Sequence, residues 1–80
     1  MREIEIGKKY KHFKGHIYKV IDIVLDCETK DLVNPKRVVI YQNQDGEHLK
    51  WARSYDDFAS EVDHDKYPDV NQKYRFEEIE

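Results

Sequence analysis

The stretch that decides the fold is Gly7–Glu28, Gly-Lys-Lys-Tyr-Lys-His-Phe-Lys-Gly-His-Ile-Tyr-Lys-Val-Ile-Asp-Ile-Val-Leu-Asp-Cys-Glu. Lys8 to Phe13 reads as a strand with Tyr10 and His12 on one face and Lys9, Lys11 and Phe13 on the other. Lys14-Gly15 is the turn, since glycine supplies the positive φ of a tight hairpin. A turn centred there pairs 13 with 16 and 10 with 19. The second arm, His16 to Cys27, holds the longest apolar run in the chain, Val20 to Leu25, interrupted only by Asp22. A helix also suits such a run, but its β-branched residues favour a strand. Ile17, Ile21, Ile23 and Leu25 lie on one face of it and Tyr18, Val20 and Val24 on the other. The arm is longer than an ordinary strand of roughly 5–6 residues. A strand that bends and serves two parts of a curled sheet accounts for both its length and its two dry faces.

Outward from this hairpin, Ile4 and Ile6 alternate with Glu3 and Glu5 as a short strand or an ordered lead-in. Glu28 to Lys36 is a connection, in which Pro35 holds Asn34 extended. Arg37 to Gln42 is a strand, Asn43-Gln44-Asp45-Gly46 a turn, and Glu47 to Arg53 the return, with Leu49, Trp51 and Arg53 on one face. Ser54 starts a helix, with Asp56 and Asp57 in its first turn and Tyr55, Phe58 and Val62 as its apolar stripe. Asp63-His64-Asp65 and Tyr67-Pro68 end that helix. Lys73 to Ile79 closes the chain as a strand, with Tyr74 and Phe76 inward.

The chain has 80 residues, one domain's worth, and a core limited by size. Hydrophobic and charged residues each make up 39%, a balance that favours disorder, but six Tyr, three Phe and one Trp supply a core. A folded domain over 1–80 with a charged skin is expected. Its lone Cys27 cannot make an internal disulfide, which fits a reducing cytoplasm. The start has no apolar segment of the signal-peptide kind, and no run approaches a membrane span. The net charge of −3 divides unevenly: residues 1–53 carry 11 Lys/Arg against 8 Asp/Glu, and residues 54–80 carry 3 against 9. Either this is a solvated surface with an acidic second part, or Lys8, Lys9, Lys11, Lys14 and Lys19 make a basic face for an anionic partner.

Five short strands, tight turns and one small helix make the fold class mainly β, a small curled antiparallel barrel; a two-layer α+β sheet is the alternative. Tyr10-Lys11-His12-Phe13-Lys14-Gly15, Tyr18-Lys19-Val20, Glu28-Thr29, Val39-Ile40-Tyr41-Gln42, Trp51-Ala52-Arg53, Phe58 and Arg75-Phe76, in that order, resemble a bacterial family known as domain of unknown function 1653. The resemblance runs from Gly7 to Ile79. It implies a compact barrel similar to the SH3-type barrels, and it brings no established activity or catalytic residue. This chain departs from the family pattern at Asp26, at Ser54, at Asp45-Gly46 and in the longer loop Asp31–Lys36.

Chemistry-bearing residues are sparse. His12, His16, Cys27, His48 and His64 lack the spacing of a zinc site, so neither a metal nor another cofactor is expected. Cys27 lies past the reach of His12 and His16 across the hairpin, which disfavours a nucleophilic dyad. Asp56-Asp57 and Asp63/Asp65 sit at helix ends, where capping explains them, and Gly7, Gly15 and Gly46 are isolated turn glycines. The chain leans away from catalysis. The candidate ligand-binding set is Tyr10, His12, Glu28, Tyr41, Trp51 and Arg53: an indole and a guanidinium on one strand face stack a base or clamp an anion. The structural alternatives are Trp51 in the core and Glu28 as the ion-pair partner of Arg53. The leading expectation is a binding module for nucleic acid, single-stranded above all, or for a nucleotide-like anion. A peptide-docking interaction domain is second, a small hydrolase third, and no membrane is involved.

Overall fold

In the computed structural model, which describes residues 2–79, the chain forms β1 (Lys9–His12), β2 (Ile17–Leu25), β3 (Arg37–Asn43), β4 (Lys50–Ser54), α1 (Tyr55–Phe58) and β5 (Phe76–Ile79). All strand pairs are antiparallel in a single sheet of order β4-β3-β2-β1-β5. The mainly β reading with one short helix therefore holds. Closure does not follow: β4 and β5 are the two edges, and the sheet is curled but open.

The bend expected in β2 is a β-bulge. Val20 pairs with Tyr41 and Asp22 with Ile40, so Ile21 is the extra residue. Its sequence-level cause is Asp22. Strict alternation would set Asp22 opposite the fully buried Val39, and a carboxylate there would lose its water without a partner. The bulge turns Asp22 outward and brings Ile23 opposite Val39, packed on the core. Ile17, Ile21 and Ile23 thus do not share one continuous face. Nor are both faces dry, since Val24 and Leu25 are exposed.

The first hairpin is one residue out of the expected register. Tyr10 pairs with Tyr18 and Lys9 with Lys19. The loop is Phe13-Lys14-Gly15, closed by the His12 N–H donating to the His16 carbonyl at 2.8 Å. Gly15 at φ +105° takes the conformation that three-residue loops require. The second turn is also longer than Asp45-Gly46 suggests. Gly46 and His48 both have positive φ, and the Asn43 N–H closes onto the Leu49 carbonyl, so β4 starts only at Lys50.

Ser54 caps α1 as its residue type dictates, its Oγ accepting from the Asp57 N–H at 3.2 Å. The helix is a single turn and does not reach Val62. Ser60 Oγ donates to the Asp57 carbonyl, a local bond that competes with helical continuation. The chain then extends into a bridge between Glu61 and Tyr74. Tyr55, Phe58 and Val62 are nonetheless all buried. Tyr10, Val20, Val39, Tyr41, Tyr55, Phe58 and Phe76 form the core, with Phe58 and Phe76 stacked at 4.0 Å between ring centres. Ile4 joins them from an ordered lead-in, its N–H donating to the Tyr55 hydroxyl at 2.8 Å. Arg2 donates to the carbonyls of Ala59 and Phe76 and tethers the lead-in to the far end of the chain.

Candidate functional site

Alternation puts Tyr10 and His12 of β1, Tyr18 of β2, Tyr41 of β3 and Trp51 and Arg53 of β4 on the inner face of the sheet, with Phe76 opposite His12. Going from the core towards the β1–β2 turn, this face passes from buried to half-exposed. Tyr10 is core: it is fully buried, meets Phe58 edge-on at 5.5 Å, and its hydroxyl accepts from the Glu5 N–H. Burial raises its pKa. Tyr41 is nearly as buried and supports the surface from below, edge-on to Tyr18 at 5.1 Å and to Phe76 at 5.5 Å.

His12 is half-buried, edge-on to Phe76 at 4.9 Å and stacked on Phe13 at 4.4 Å. Burial pushes its pKa down to about 4, helped by the positive charges of Arg53, Lys14, His16 and Arg75. It is therefore neutral near pH 7. Its Nδ1 accepts from the Lys14 N–H at 3.1 Å, which leaves the ring proton on Nε2.

Arg53 is fixed on two sides. Its Nε donates to the Tyr41 hydroxyl at 3.2 Å, its Nη1 is paired with Asp57, and its guanidinium lies 5.6 Å from the centre of the Phe76 ring. Burial works against its charge, but the bonds to Tyr41 and Asp57 outweigh this and raise its pKa. Asp57 also faces Arg75 at 3.9 Å, so one carboxylate serves two guanidiniums and the trio keeps one net positive charge. Trp51 is across the ladder from Tyr41 and stays 49% exposed, which answers the choice between core and platform: it is not a core residue.

Five of the six candidate residues thus share one face, but Tyr10 is buried beneath it. Glu28 is elsewhere. It is exposed in the β2–β3 connection, outside the strands, and Arg53 is paired with Asp57 instead. The sequence reading missed Tyr18, Phe13, Tyr67 and Arg75. Phe13 and Tyr67 meet at 5.0 Å, with the Lys14 ammonium 5.7 Å from the Tyr67 ring centre. Tyr18 was within reach of sequence reasoning once the hairpin register was right. Tyr67 and Arg75 were not, because an irregular connection brings them back.

The surface is a shallow shelf. A recess of about 690 Å³ is between the 26–36 connection and the start of α1, lined by Asp26, Val33, Pro35, Arg37, Tyr55 and Asp56 among others. There the Arg37 guanidinium stacks over the Tyr55 ring at 3.7 Å. Among the described residues, no group of three or more His, Cys, Asp or Glu is placed to hold a metal ion, and Cys27 is exposed beyond β2, away from His12 and His16.

A mainly β protein with an open five-stranded sheet and a half-exposed aromatic and guanidinium shelf on its inner face is the class that these features define. The chain belongs to the family described as Protein of unknown function (DUF1653), which matches residues 8–78. No curated protein and no solved structure matches it.

Proposed function

We propose that the chain is a non-catalytic binding module that takes single-stranded nucleic acid or a nucleotide-like anion on the shelf of His12, Tyr18, Trp51 and Arg53. The observation that carries this reading is the half-exposed indole of Trp51 on the same face of β4 as Arg53, whose guanidinium is already held in place. An exposed ring on a sheet offers a stacking platform, worth about 1–3 kcal/mol per base. A guanidinium fixed by Tyr41 and Asp57 loses little freedom on meeting an anion. Neutral His12 adds an aromatic surface without adding charge. A four-strand meander, a helical turn and a return strand beside β1 support an SH3-like architecture for the module. The single exposed cysteine supports a reducing, cytoplasmic setting.

Titration with single-stranded RNA, followed by Trp51 fluorescence at low and high salt, tests the proposal. A shift at low salt that weakens with added salt is expected, and Trp51→Ala should weaken binding roughly tenfold to hundredfold. An unchanged Trp51 signal at low salt sinks it. Peptide docking is favoured by a different observation, the recess beside α1 with the exposed Leu32 and Val33 on its loop. Salt-insensitive peptide binding that leaves Trp51 silent would select that reading.

A further inference from the structure

The outer face of the sheet carries a row of lysines. Lys9 is directly opposite Lys19, Lys19 opposite Gln42, and Gln42 opposite Lys50, so three ammonium groups and an amide cross four neighbouring strands in one line. Lys11 is one step along β1 on the same face. At about 4.8 Å per strand, the line from Lys9 to Lys50 is about 14 Å long. Like charges set directly opposite destabilise a sheet, so the Lys9–Lys19 pair works against folding.

Among the described residues the ion pairs are Lys8 with Glu78 and Arg53 and Arg75 with Asp57, and none involves Lys9, Lys11, Lys19 or Lys50. Glu77 stands opposite Lys11 in the ladder and offsets part of that lysine's charge, while its carboxylate accepts from the N–H groups of Lys73 and Tyr74; the row of Lys9, Lys19 and Lys50 has no such acid across from it among the described residues. Asp22, displaced outward by the bulge, accepts from the N–H of Ile23. α1, with Asp56 and Asp57, packs over the inner face.

We infer that this outer face is a second interaction surface, independent of the shelf, that binds the phosphate backbone of a nucleic-acid duplex. The row is as long as the axial rise of about four phosphates along one strand. Its neighbours across the sheet are Ile17, Ile40 and Ala52, with no ring on which an unpaired base could stack. Ammonium groups without stacking platforms contact backbone and leave base edges unread, which suits a duplex rather than a single strand.

The test is fluorescence anisotropy with a labelled DNA duplex two helical turns long, across a salt series. Binding at low salt is expected, with log K falling against log salt at about −0.9 per phosphate contact. Combined K9Q, K19Q and K50Q should flatten the slope by about 2.7, and K50Q alone, at the sheet edge, by about 0.9. The triple variant should melt at or above the parent temperature, because the Lys9–Lys19 repulsion is gone. Trp51→Ala should leave the duplex slope unchanged, which separates this surface from the shelf. Absence of duplex binding at low salt, or a slope that K50Q and the triple variant leave alone, overturns the inference. So would phosphatidylserine-containing vesicles bound as tightly as the duplex and lost in the same variants.

Discussion

The two faces of this sheet are built from the same strands by alternate residues, yet they obey different rules. Inside, Tyr10, Val20, Val39, Tyr41 and Phe76 meet Phe58 and Tyr55 of α1, and six of the aromatic contacts there are edge-on or stacked at 4.0–5.8 Å. Outside, lysines stand beside half-covered Ile17 and Ile40, none of which belongs to the core. A domain of this size has about one face's worth of apolar residues to bury, and the inner face takes nearly all of them. The outer face is therefore free to vary for reasons other than stability.

The largest expected effect is at Phe58, which is fully buried and stacked on Phe76. Phe58→Ala should cost about 3–5 kcal/mol, against a total of about 4–12 kcal/mol for a chain of this length. Urea titration followed by circular dichroism measures it. A loss under about 1 kcal/mol, the range of an outer-face change such as Lys19→Gln, would erase the contrast between the faces. Next comes Tyr55→Phe, which deletes the hydroxyl that accepts from the buried Ile4 N–H. An unpaired buried amide costs about 1–3 kcal/mol. An unchanged denaturation midpoint would show that the lead-in does not belong to the inner layer.

The smallest effect is a pH dependence. Folding lowers the His12 pKa from 6.5 to about 4, so the unfolded chain binds a proton in that window and the folded chain does not. Stability therefore falls as pH drops from about 6.5 towards 4. The ring is half-exposed, so solvent screening shrinks the effect. His12→Gln should lose less stability over the same window than the parent. Equal losses would place His12 with the solvated outer residues.

Much of the fold was legible in sequence because alternation and turn chemistry are local. Val20, Val39 and Tyr41 announce an inner face by period, Gly15 and Gly46 announce reversals, and Ser54 announces a helical start. What stayed hidden depends on two segments at once. Whether the first loop holds two residues or three decides if Tyr10 faces Lys19 or Tyr18, and Lys14-Gly15 is compatible with both. Helix length at Ser60 depends on the distant strand partner of Glu61. The open edges follow from β4 and β5 never pairing, which no single stretch reports. Of the shelf, Trp51, Arg53 and His12 were readable as residues of the right chemistry. Arg75 and Tyr67 were not, since their approach is made by a connection without period.

The supernumerary Ile21 has a consequence that extends past its own strand. A ladder with one residue too many on one side must bow, and this bow contributes to the curl that places Arg53, on one margin of the sheet, 5.6 Å from Phe76 on the other. The number of residues in β2, rather than their identity, helps set how far apart those two margins stand. Excising Ile21 would keep every inward residue inward and yet flatten the floor on which the shelf is laid.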